Sequence, residues 1–170
     1  MKLKLMSLVL ATVLFFSCGT TYTSTTSNAA MGLPANIRTN FIAMYPDATN
    51  VTYTQYDAAT VPIDWELNGW TALDANDYVV SFDMGGRQYH TWYDSDGVWV
   101  GTTTAVNSTM LPSAISTLLK TNYDSYSIES IQKETWKEQT AYELKLKGTD
   151  DTTVKLLVDT NGNIIKQKTD

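Results

Sequence analysis

Leu33, Pro34, Ile37, Phe41 and Tyr45 recur as Leu111, Pro112, Ile115, Leu119 and Tyr123, each 78 residues further along the chain. Five matches at one offset, a proline among them, constrain the chain to build one unit twice. In the first copy Ile37, Phe41, Met44 and Tyr45 share one face of a helix. Pro34 sits at the helix start, where its fixed φ and missing N–H do no harm, and Pro46 stops it.

Strands repeat behind the helices. YVVSF at 78–82 and YELKL at 142–146 both alternate, with Tyr78, Val80 and Phe82 matching Tyr142, Leu144 and Leu146. YHTWYDSDG (89–97) matches VKLLVDTNG (154–162) at an offset of 65, and each ends in an Asp-x-Asp/Asn-Gly turn before an apolar pair. Gly97 and Gly162 are expected to take the φ > 0 position of a hairpin loop. The first strands are VTYTQY (51–56) and SIESIQ (127–132). The fall in offset leaves about 13 extra residues in copy one, placed in DAATVPIDWELNGWTALDAND (57–77), which holds Trp65 and Trp70; copy two has Trp136 alone. The expected fold is α+β: two tandem units, each a helix plus a four-stranded antiparallel sheet, with both helices on one face. The boundaries follow as 31–106 and 107–170.

Alternation then sorts the two faces. Tyr78, Val80, Phe82, Tyr89, Tyr93 and Trp99 are expected under the first helix, and Tyr142, Leu144, Leu146, Val154, Val158 and Ile164 under the second. The opposite face of copy two reads Glu143, Lys145, Lys147 and Lys155, a solvated surface broken only by Leu157. In copy one the same positions are Val79, Ser81, His90, Trp92, Val98 and Val100. An antiparallel sheet can leave one face wet, and polar residues then belong there. Trp92 and its apolar neighbours have instead the composition of an interface centre. The alternatives are that the Trp65 and Trp70 insertion folds over this face, or that a dimer hides it.

No catalytic constellation is readable. His90 is the single histidine, with no nucleophile or carboxylate at a telling spacing. Asp94, Asp96 and Gly97 lack the frame and distal Glu of a calcium loop, as do Asp159, Asn161 and Gly162, so turns are expected and no metal or cofactor.

The N-terminus, MKLKLMSLVLATVLFFSCGT, has a cationic start, an apolar run and a small residue before Cys18, the pattern of a secretory leader over 1–17. Cys18, the single cysteine, stands where a bacterial lipoprotein would be cleaved and acylated. Residues 18–30 read as a Ser/Thr-rich tether. The leader carries two of the 12 Lys and Arg and none of the 18 Asp and Glu, so the processed chain has net charge −8. That balance argues against a nucleic-acid partner.

The LPxxI helix, the Y-x-V/L-x-F/L strand and the D-x-D/N-G turn, repeated behind a lipoprotein-like leader, resemble the PepSY-like family of secreted bacterial proteins. These are also described as β-lactamase-inhibitor-like and are frequent in Bacteroidetes. The resemblance spans residues 31–168, and its motifs carry no catalytic residue. It implies a non-enzymatic protein of the cell envelope; the leader and Cys18 point to a lipid tether, and Gly19 after the cysteine, in place of an Asp, makes the outer membrane the expected site. The better-studied inhibitor of this architecture clamps an enzyme with the concave face of its sheet. By that analogy Trp92, His90, Val79, Ser81, Val98, Val100, Trp65 and Trp70 would bind a protein partner, with hydrolase inhibition as the specific case. A carrier of a small ligand or glycan, and a structural envelope component, are the competing readings.

Overall fold

The computed structural model describes residues 33–169; the leader, Cys18 and the tether lie outside the described residues. The elements run α1 (Ala35–Met44), β1 (Thr49–Gln55), α2 (Trp65–Asn68), β2 (Tyr78–Met84), β3 (Arg87–Tyr93), β4 (Trp99–Ala105), α3 (Ser113–Asn122), β5 (Ser127–Trp136), β6 (Gln139–Lys147), β7 (Thr153–Asp159) and β8 (Ile164–Thr169). The strands form one eight-stranded antiparallel sheet in which each pairs with the next in sequence. This α+β architecture, an open sheet with few helices, needs only short connections except where a helix or the 57–77 insertion intervenes.

Prolines set both helix starts: Pro34 and Pro112 directly precede α1 and α3 with φ of −55° and −51°. Phe41 of α1 is buried, with its ring 5.0 Å from Phe82 and 5.8 Å from Tyr53. With Ile37 it packs on Tyr78, Val80, Phe82 and Tyr93. Ile115 of α3 packs on Ile131, Tyr142, Leu144, Leu146, Val154, Leu156 and Val158. Burying side chains of this size contributes about 1.5–3 kcal/mol each. Ile164, expected in the second core, is 37% exposed. It lies on β8, which pairs on one side only, so little packs against it.

The two Asp-x-Asp/Asn-Gly turns have the same geometry. The Gly97 amide donates to the Asp94 carbonyl at 2.9 Å and the Gly162 amide to the Asp159 carbonyl at 3.1 Å. The Asp94 carboxylate accepts from the Val98 amide, and that of Asp159 from the Asn161 and Asn163 amides. These carboxylates are therefore spent on the backbone, and among the described residues no cluster of three or more potential ligands could hold a metal. Gly97 and Gly162 have φ of +78° and +83°. A helix also approaches each: a Cβ at Gly97 would lie 2.5 Å from the Asn36 amide nitrogen, and one at Gly162 would lie 3.0 Å from the Ala114 carbonyl. Asn36 donates to the Asp96 carbonyl and Asn40 to that of Gly97, tying α1 to the first turn. The register also shifts just before each turn, between Trp92 and Tyr93 and between Leu157 and Val158.

Gly97→Ala is expected to lose about 2 kcal/mol, combining the left-handed conformation with displacement of Asn36. Gly86→Ala, with φ of +75° but nothing within 4 Å, should lose about half that. Urea midpoints of the two variants check the difference.

Candidate functional site: a sheet face closed by a strap

Between β1 and β2 the chain leaves the sheet and crosses its far side, opposite the residues that hold α1. Asp77 pins the ends of this strap. Its carbonyl accepts from the Tyr56 amide, and its buried carboxylate accepts from the Asp74 and Ser95 amides at 2.6 and 2.8 Å. Inside the strap Asp64 caps α2 by accepting from the Leu67 amide, and Gly69 ends that short helix in the left-handed conformation.

The strap seals the face with aromatic rings. Trp92 of β3 is 1% exposed. Its ring centroid lies 5.7 Å from that of Trp70 and 5.6 Å from that of Trp65, both edge-on. Trp136, at the end of β5, closes the group 5.8 Å from Trp70. Gly101 makes this possible: a Cβ there would meet three atoms of the Trp70 six-membered ring within 2.8 Å. Val79 and Val100 pack on the same cluster with Ile63. A second contact extends over β6 and β7, where Leu67 is buried on Ala141 and Leu157.

Charge locks the C-terminal end. Asp64 pairs with Lys155 at 2.7 Å and with Lys168 at 3.7 Å, while Lys168 also reaches Glu66 at 3.3 Å and Lys166 donates to the Glu66 carbonyl. Burial alone would raise the Asp64 pKa; the hydrogen bonds from Lys155 and the Leu67 amide, with the charges of Lys155 and Lys168, outweigh it and hold it below the usual value. Beneath lie two carboxyls. Glu143 accepts from the Asp64 amide at 2.8 Å. Glu134 is fully buried, and neither oxygen accepts a hydrogen bond from a protein group. Burial, and then the neighbouring Glu143, push its pKa up to about 9, so it is a neutral acid at pH 7. Burial also raises the pKa of Glu143.

The residues expected to form an open binding face therefore divide. Trp92, Val79 and Val100 come together beneath Trp65 and Trp70 of the strap rather than on a free surface, so an exposed aromatic patch is not what the sheet presents. The reason is area: the extra residues of copy one are long enough to cross the sheet, and its tryptophans are the cover. His90 and Ser81 sit half-buried at the border, with Ser81 Oγ 2.9 Å from His90 Nδ1. They are direct cross-strand partners, so this contact follows from register, and burial lowers the His90 pKa. Val98 stands apart, in the turn before β4 and 59% exposed. The face of copy two also differs from the expected solvated surface, since Glu143 is buried beneath the strap. Glu134 went unread because one charged residue in a strand looks solvated. Its signal was the alternation Gln132, Glu134, Trp136, which sets it on the side of a tryptophan.

The family model described as "Putative beta-lactamase-inhibitor-like, PepSY-like" matches residues 76–166, which begin at the end of the strap. Solved structures share the fold. A BLIP-like protein from Bacteroides fragilis superposes with a TM-score of 0.65 at 19% identity, covering 83% of this chain and 89% of that one. A DUF2874 family protein from Bacteroides ovatus gives 0.63 at 21% identity, with 80% and 86% covered. A protein from Bacteroides eggerthii described as "putative periplasmic" gives 0.62 at 17%, with 80% and 88% covered. No curated protein matches the chain.

Glu134 contributes stability fully present below its unfolded pKa of about 4.5 and lost as pH rises towards its folded value of about 9. Glu134→Gln, which keeps the neutral shape, should therefore gain on the parent from pH 5 to pH 8, by about 1.4 kcal/mol per pH unit at the steepest. Urea unfolding at the two pH values measures it.

Proposed function

The chain belongs to the PepSY-like, β-lactamase-inhibitor-like family, and on that premise we propose that it is a non-enzymatic envelope module that binds a protein through the strapped face of its sheet. The observation that carries the reading is that this face already holds a peptide. The strap segment Asp64-Trp65-Glu66-Leu67-Asn68-Gly69-Trp70 supplies aromatic rings to the Trp92 pocket, a leucine to Ala141 and Leu157, and acids to Lys155 and Lys168. A partner loop of the same chemistry would displace it, with aromatic anchors and a charged rim as at other protein interfaces. Inhibition of a hydrolase is the specific case, resting on fold analogy alone.

Within this reading the chain is exported and held by lipid on Cys18 at the outer membrane; the leader's pattern supports this, as does the likeness to the Bacteroides eggerthii structure described as "putative periplasmic". The fold is likewise taken as two copies of a helix-plus-four-strand unit with both helices on one face. Its support is the 78- and 65-residue offsets and the register shifts before the Asp94 and Asp159 turns. A structural envelope component is the second reading, favoured by the full burial of Trp92.

The test is capture from envelope and secreted extracts by the processed protein and by Gly101→Ala, whose methyl group lifts Trp70. The variant should retain a protein several-fold more strongly than the parent, in competition with a synthetic 57–77 peptide. Equal retention, or none by either form, contradicts the reading and favours the structural one.

A further inference from the structure

On the side of the sheet that holds α1, the seam between the two apolar clusters is lined by polar groups. Cross-strand register puts Tyr89, Thr104 and Lys133 in one row and Thr102 opposite Thr135 in the next. Together with Arg87 at the start of β3 they line a cavity of about 70 Å³. That is room for a few waters, or for one small oxyanion in their place.

The groups facing this space are donors without acceptors. Arg87 is half-buried, and its guanidinium makes one hydrogen bond among the described residues, Nη1 to Met110 Sδ at 3.5 Å. The Lys133 ammonium and the hydroxyls of Tyr89 and Thr135 donate to no protein group among the described residues. Neither cation has a carboxylate partner there, whereas Lys145, Lys147, Lys155 and Lys168 all do. This happens in a chain of net charge −6, where acids outnumber bases. Two half-buried cations left unpaired in such a chain, beside two free hydroxyls, make an arrangement that an anion completes. The remaining threonines are already committed. Thr104 donates to the Gln88 carbonyl, and Thr102 donates to Thr91 while accepting from Trp99. They form a rigid floor.

We propose that this cavity is an anion site that takes one oxyanion group, a phosphate, sulfate or carboxylate, held by Arg87 and Lys133 with Tyr89 and Thr135 as further donors. Guanidinium supplies a planar fork and ammonium a point charge, a pairing that suits a tetrahedral or carboxylate head and discriminates against chloride. The group arrives either as a free ion or as the headgroup of an anionic lipid. The site is on the opposite side of the sheet from the strap, and the inference does not depend on the proposed protein-binding face.

Amide chemical shifts of the processed protein titrated with inorganic phosphate, at ionic strength balanced with sodium chloride, test it. Saturable shifts are expected at Arg87, Thr104, Lys133 and Thr135. Arg87→Gln/Lys133→Gln, once its spectrum shows a native fold, should bind at least tenfold more weakly. Lys145→Gln, which removes a lysine paired with Glu129, should bind as the parent does. Co-sedimentation with phosphatidylglycerol/phosphatidylcholine vesicles separates the sources. Vesicle binding competed by phosphate assigns the headgroup, and phosphate binding without vesicle binding assigns the free ion. Shifts that follow ionic strength alone, or a double variant that titrates like the parent, overturn the site.

Discussion

The seating of the Trp70 ring on the backbone at Gly101 is the contact on which the far side of this sheet depends. An eight-stranded antiparallel sheet has two faces, and the helices cover what lies under them. The other face must be wet or covered. Here it carries Trp92, Val79 and Leu157, whose exposure would cost several kcal/mol at roughly 25 cal/mol per Å² of apolar surface. The strap removes that cost, and it can come close enough only because residue 101 has no side chain. Trp65, Trp92 and Trp136 then pack edge-on or tilted around Trp70, arrangements that add about 0.5–1.5 kcal/mol per pair beyond burial.

Closure also encloses groups that resist it. Glu134 is buried with no protein donor, a loss of about 1–3 kcal/mol that its neutral state keeps well below the cost of a buried charge. The Asp64 to Lys155 pair works in the other direction, since it is partly buried, capped and short. The same acid orders α2, holds Glu143 through its backbone amide and joins the strap to β7. An aromatic seal at one end and an ion pair at the other hold the strap over a carboxyl that prefers neutrality.

Much of the fold was legible because it is periodic. The Leu-Pro-x-x-Ile helices, the alternating strands and the Asp-x-Asp/Asn-Gly turns each express a local rule, and α1, α3 and the turns at Gly97 and Gly162 fall where those rules put them. The candidate site was legible only in part. Alternation brought Trp92, Val79 and Val100 to one face correctly, but whether a segment lies over a face is a matter of long-range contact that no local pattern encodes. Ile164 was misplaced for a related reason: its alternation is right, but its strand is an edge. Glu134 hid because charge alone looks like solvent exposure, and only its diagonal neighbour Glu143 and the strap above make it a buried acid.

The seat of Trp70 can be observed directly by proton NMR of the processed protein. If the strap closes the face, the Gly101 α-protons lie against the indole ring. They should show a strong upfield ring-current displacement, lost in Trp70→Ala, and nuclear Overhauser contacts to the Trp70 six-membered ring. Gly101 α-protons at ordinary strand positions in the parent, with no contact to Trp70, would contradict the account and return the Trp92 face to solvent.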